Sequence, residues 1–153
     1  MSFEVRESAQ SVALCVDLTA TQSIANNVIT AVSWNVQPLW NRGFTWTGGT
    51  TVTFPEPGLY SITWDISYAT GVGTNRLTYL TRSGDTLHRW GQTNITPVAG
   101  VTTRVVGACI LNMLQGSTAS IFVFQNSGGA LNIGGATDPL TCEWSIAKIA
   151  NVV

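Results

Sequence analysis

Apolar and polar residues alternate with period two along most of this chain, most cleanly over residues 59–69. Tyr60, Ile62, Trp64, Ile66 and Tyr68 fall on one side of an extended segment, and Ser61, Thr63, Asp65 and Ser67 on the other. Successive strand side chains point to opposite faces, so this segment predicts a half-buried strand. Runs at 11–18, 28–36, 50–54, 76–82, 86–92, 103–114 and 141–149 read as strands too. Turn residues separate them at intervals of about ten residues. Pro55-Glu56-Pro57-Gly58 is a turn whose prolines are preset for it, and Ser83-Gly84-Asp85 reads as a hairpin between its flanking strands. Residues 103–114 are apolar on both faces, which predicts a central strand. No stretch sustains a capped 3.6-residue period, and residues 22–26 have room for a short turn of helix at most. These spacings predict an all-β sandwich or barrel of about ten short strands.

One predicted strand has an unusual outward face. Ala119, Ile121 and Val123 alternate with Ser120, Phe122 and Phe124; Gln125-Asn126-Ser127-Gly128-Gly129 then turns the chain, and Leu131 and Ile133 resume the alternation. The face opposite the core carries two phenylalanines. Such a strand needs packing on both sides, which points to function through assembly.

Composition strengthens that expectation. The 153 residues suit a single domain, long enough to bury a core without disulfides; residues 1–9 read as a short arm and 10–153 as the domain. Only 10% of residues are charged, against about a quarter in ordinary domains. With a positive mean hydropathy, this predicts that neighbours cover much of the surface. The net charge is −1 and the six arginines are dispersed, so no nucleic-acid partner is expected. MSFEVRESAQ lacks a basic start followed by an apolar core, and no apolar run approaches the ~20 residues of a membrane helix. Neither a secretory route nor a membrane partner is therefore expected. Cys15, Cys109 and Cys142 are odd in number and widely spaced, matching neither a disulfide framework nor a zinc site.

Catalytic chemistry finds little support. His88 is the single histidine and lies on a predicted strand with no nucleophile motif beside it. Cys109 lies in the most apolar strand, where a thiolate is disfavoured. The eight acidic residues are scattered, and the glycine-rich segments do not lead into a helix that would cradle phosphate. No enzyme activity, metal or cofactor is expected. Trp34 and Trp64 read as core. Trp40, Trp46 and Trp90 fall in or near loops, where exposed aromatics either stack on sugars or anchor a protein partner. Arg42 beside Trp40 has the character of an interface anchor.

Four motifs carry a family resemblance. Phe54-Pro55-Glu56-Pro57-Gly58-Leu59-Tyr60 before an alternating strand resembles the F-x-x-x-G-x-Y signature of the C1q/TNF-like jelly-roll superfamily. Phe122-Val123-Phe124-Gln125-Asn126-Ser127-Gly128-Gly129-Ala130-Leu131 resembles the late hairpin of its phage and bacterial branch. Asn75-Arg76-Leu77 and Trp144-Ser145-Ile146-Ala147-Lys148-Ile149 resemble that branch's arginine-led strand and closing strand. Leu114-Gln115-Gly116-Ser117 departs from the family's usual Gly-Asp. No G-x-y collagen repeat occurs.

The resemblance implies a two-sheet antiparallel jelly-roll sandwich that assembles as a homotrimer. It implies that Phe122, Phe124 and Trp144 meet near the threefold axis on the outward face of the inner sheet. The implied role is a structural virion protein, a capsid decoration or cement protein bound to a major capsid protein or another virion protein. In that role Phe3 and Arg6 of the arm reach a neighbour. The alternative is a receptor- or carbohydrate-binding knob of a phage tail or bacterial surface protein. There Trp40, Arg42, Trp46 and Trp90 would contact surface glycans.

Overall fold

Twelve strands and no helix make up the described residues, 12–135 and 141–151, of the computed structural model. In chain order they are β1 (Ala13–Leu18), β2 (Gln22–Ile24), β3 (Thr30–Ala31), β4 (Trp40–Arg42), β5 (Val52–Thr53) and β6 (Gly58–Tyr68). The second half supplies β7 (Arg76–Arg82), β8 (Asp85–Ile95), β9 (Thr103–Met113), β10 (Thr118–Gln125), β11 (Leu131–Ile133) and β12 (Cys142–Ala150). They form two antiparallel sheets. The first runs β4-β1-β12-β6, with β9 against the free side of β6 and β11-β2 continuing from the end of β6. The second runs β3-β10-β7-β8, with β5 also on β10. This is the two-sheet jelly-roll sandwich expected from the sequence.

The core lies between the sheets. Tyr60, Ile62, Trp64, Ile66 and Tyr68 all point into it and are buried, as their alternation requires. Trp34 meets Trp144 with ring centroids 5.6 Å apart, and Phe54 meets Tyr60 edge-on at 4.8 Å. Such tilted arrangements set ring edges against ring faces.

The sequence motifs acquire physical reasons here. The Tyr60 hydroxyl donates to the Glu56 carbonyl at 3.0 Å, closing the turn that Phe54 and Tyr60 bracket. A side chain at Gly58 would strike Lys148 and the Ala150 carbonyl. Gln125 is fully buried; its Nε2 donates to the carbonyls of Ile24 (2.9 Å) and Gly129 (2.8 Å), and its Oε1 accepts from the Ser127 amide at 2.6 Å. The glutamine thus satisfies turn backbone that would otherwise be buried unpaired. Arg76 is also buried, donating to the Asn75 and Val72 carbonyls beside the Tyr68 ring.

Several expectations need correction. Residues 103–114 do not form a central strand. β9 pairs only with β6 and lies at the sheet edge, and no layer of the described residues covers its second apolar face, which is exposed. Residues 22–24 form strand β2 instead of a turn of helix, because β11 offers them a ladder. Within 28–36 the regular pairing is limited to β3 and an isolated bridge between Trp34 and Gly49. Trp40 stands on the short strand β4, and Trp90 on β8, within the strand expected over 86–92. The expected arm, with Phe3 and Arg6, lies outside the described residues.

Candidate functional site

The outward face of the first sheet can be read from its register, row by row. Val106, Asp65, Glu143 and Asp17 align across β9, β6, β12 and β1. The next outward row is Ala108, Thr63, Ser145, Cys15 and Trp40, and the third is Ile110, Ser61, Ala147, Ala13 and Arg42. The floor is therefore built of Ala, Ser, Thr and Cys, small enough for another surface to approach the sheet closely. Around this floor Trp40, Val106, Ile110, Leu114 and Ile149 are all exposed. A cleft of about 440 Å³ opens at one end, lined by Ala13, Trp40, Asn41, Arg42 and Ala147.

The acidic side chains of this face gather in the first row, while Arg42 ends the third. Directly opposed like charges repel across neighbouring strands, and polar partners offset this here. Arg104 Nε lies 2.5 Å from Asp65 Oδ2. The Ser145 hydroxyl donates to Glu143 at 2.8 Å, and Asn35 Nδ2 donates to Asp17 at 3.2 Å. Burial raises the Cys15 thiol above its ordinary pKa, and the neighbouring Glu143 adds to the rise. Burial likewise pushes Cys109 up to about 11. At neutral pH both are thiols, poor nucleophiles and poor metal ligands.

The second sheet presents a different surface. Phe122 and Phe124 lie on β10, half-buried on the outward face, with Phe122 stacked on Tyr79 at 5.6 Å between ring centroids. The Arg89 guanidinium covers the other part of this platform, 4.8 Å from the Tyr79 ring centroid. A cleft of about 300 Å³ beside it is lined by Ile29, Asn75, Leu77, Arg89 and Phe124.

These placements separate residues that the sequence grouped together. Phe122 and Phe124 are on the opposite sheet from the broad apolar face, and Phe122 already has a ring partner within the chain. Trp144 is fully enclosed against Trp34. It is a core residue whose ring is closed to a neighbouring subunit, because β12 turns it inward. Trp40 and Arg42 do come together, on β4. Trp46 is half-buried and donates its indole N–H to the Asn35 carbonyl at 2.7 Å. Trp90 is half-buried on β8, with Arg82 5.4 Å from its ring centroid. The three tryptophans form no common site.

Sequence reasoning missed Val106, Ile110 and Leu114. Their signal was present as an apolar alternation interleaved with the core-facing Val105, Leu111 and Met113, but it was absorbed into the expectation of a strand covered on both faces.

Among the described residues no three His, Cys, Asp or Glu side chains are arranged to hold a metal ion. His88 Nδ1 lies 2.6 Å from Asp85 Oδ1 at the start of β8. Among the described residues no helix is long and apolar enough to cross a membrane.

No protein-family model matches the chain, and no curated protein matches it by sequence. Solved structures do match its fold. The globular domain of the zebrafish complement 1qA protein superposes with TM-score 0.65 at 18% identity, covering 92% of this chain and 99% of that one. Murine APRIL at pH 5.0 matches with TM-score 0.65 at 15% identity, covering 90% and 99% of the two chains. Eiger TNF from S. frugiperda matches with TM-score 0.62 at 14% identity, covering 93% and 96%. At these identities the likeness is one of architecture: the fold is the C1q/TNF-like jelly roll.

Proposed function

We infer that this chain is a non-catalytic assembly module that forms a homotrimer and decorates or cements a phage capsid. One observation carries the assembly reading: a flat, small-residue floor on the first sheet, surrounded by exposed Trp40, Val106, Ile110, Leu114 and Ile149. A contiguous exposed apolar patch marks an interaction surface, and these five residues share one sheet face. The sparse charge of the whole chain supports extensive coverage by neighbours. The threefold arrangement is what the C1q/TNF-like resemblance implies. The capsid role rests on the phage-branch motifs, Arg76 and the Gln125–Gly129 turn among them, which have defined structural jobs in this fold. A trimer placed on a lattice of shell proteins would bind through several subunits at once and gain avidity.

Light scattering of the purified chain at micromolar concentration tests the assembly, with three times the subunit mass expected and a monomer contradicting it. Co-sedimentation with purified empty phage shells tests the capsid role. Protein remaining in the supernatant at saturating shell concentration would remove that role.

The second reading, a receptor- or carbohydrate-binding knob, is favoured by one feature, the cleft of about 440 Å³ beside exposed Trp40. It predicts glycan binding that Trp40→Ala abolishes.

A further inference from the structure

The second sheet carries a recognition surface unlike the apolar face of the first. Tyr79 and Phe122 stack nearly parallel, with 13° between ring planes, in the same cross-strand row of β7 and β10. Phe124 and Leu77 form the adjacent row. Arg89, exposed on β8, lays its guanidinium over Tyr79 and makes no ion pair or hydrogen bond among the described residues. Arg82 pairs with Asp85, Lys148 with Glu56 and Arg104 with Asp65, whereas Arg89, like Arg42 and Arg76, has no carboxylate partner among the described residues. The cleft beside Arg89 is also lined by Asn75, whose side-chain oxygen is buried without a hydrogen-bond partner.

These groups have complementary needs. An arginine whose guanidinium lies over a ring keeps N–H donors for a carboxylate, which it can engage through two parallel hydrogen bonds. Asn75 lines the same cleft, and a side-chain amide can exchange hydrogen bonds with a sugar hydroxyl or acetamido group. The Phe124 ring and the Leu77 and Ile29 side chains offer apolar surface for a C–H face. A volume of about 300 Å³ is at the small end of ligand pockets, suited to one sugar unit. A carboxylate, a neighbouring donor and an apolar ring face on one small scaffold describe an acidic pyranose.

We propose that the cleft between Arg89, Asn75 and Phe124 binds a carboxylate-bearing sugar unit, a hexuronic or sialic acid, of a surface glycan. The site lies on the opposite sheet from both the assembly face and the Trp40 cleft. It would leave the assembly face free, so one module could assemble through one sheet and recognise a glycan through the other.

The test is a glycan array and solution titration of the full chain. The probes are uronic-acid and sialic-acid oligosaccharides, their neutral counterparts and a polyglutamate peptide. Binding to acidic but not neutral oligosaccharides is expected, with a loss of about ten- to a hundredfold for Arg89→Gln, as befits a charge-assisted contact. Arg89→Lys should restore part of the loss, and Asn75→Ala should weaken binding with the melting temperature monitored in parallel. Four outcomes would overturn the proposal. They are no acidic-glycan binding, equal binding of neutral counterparts, equal binding of polyglutamate, and binding lost in Trp40→Ala but retained in Arg89→Gln. Light scattering of Arg89→Gln separates this result from the assembly reading, since the variant keeps its oligomeric mass in every case.

Discussion

Replacing Ile110 by aspartate should dissociate the assembly without unfolding the subunit. Ile110 stands on the outward face of the edge strand β9 and is 61% exposed in the single chain. Full burial of such a side chain is worth about 1.5–3 kcal/mol, so the exposed fraction leaves about 1–2 kcal/mol per subunit to be gained on assembly. Aspartate forfeits that gain and adds a charge. Its neighbours in the row, Ser61 and Ala147, offer no cation. Burying an unpaired carboxylate costs about a further 3–5 kcal/mol. Association should therefore weaken by at least about a thousandfold. The isolated subunit should lose little, because the position is already solvated there. Sedimentation velocity at micromolar concentration should show the wild type as a trimer and Ile110→Asp as a monomer, with unchanged near-UV circular dichroism. Ile110→Thr keeps the β-branched backbone preference and should give intermediate dissociation. A trimeric Ile110→Asp would refute the assignment of this face.

Three further outcomes follow from the packing. Phe122→Ser combined with Phe124→Ser should leave the oligomeric mass unchanged in light scattering, because both rings lie on the other sheet; a monomer would return them to the subunit interface. At Gly107 an added methyl would fall on the Trp64 indole, whose N–H donates to Thr78 at 2.9 Å. Gly107→Ala should therefore cost about 1–3 kcal/mol, read as a drop in melting temperature of several degrees, and an unchanged transition would show that the indole can move aside. Finally, burial pushes Tyr60 to about 12 and Cys109 to about 11. Both groups hold their protons more tightly folded than unfolded, so their contribution is complete below about pH 9 and is lost as pH rises through 11–12. The urea midpoint should fall across that window, and a flat midpoint up to pH 12 would contradict the burial of these groups.

The legible part of the fold was that set by local chemistry. Residues 59–69 could only be a strand with Tyr60, Trp64 and Tyr68 inside, because the alternation is strict and the polar set lies wholly on the other face. The hairpin at Ser83-Gly84 was visible for the same reason, since Gly84 adopts φ 77° at the turn. The Gln125–Gly129 segment was recognisable as a turn, although the buried role of Gln125 was not. That role depends on the Ile24 carbonyl, 101 residues away.

What the sequence by itself determined was the strand period, the turns, the sparse charge and, through motif order, the jelly-roll class. These are properties of neighbouring residues. Only the tertiary structure decided which sheet each strand joined, because pairing partners are non-local and period two is the same in both sheets. Hence two aromatic-bearing strands exchanged meanings: β10 carried its phenylalanines to the second sheet, while β12 turned Trp144 into the core. β9, apolar on both faces, became an edge strand whose spare face is free. Its position beside β6 placed Val106 and Ile110 around a floor of small residues, and the separate pairing of β7 and β8 brought Arg89 over Tyr79. Both candidate surfaces are products of strand pairing, which the residue order could not disclose.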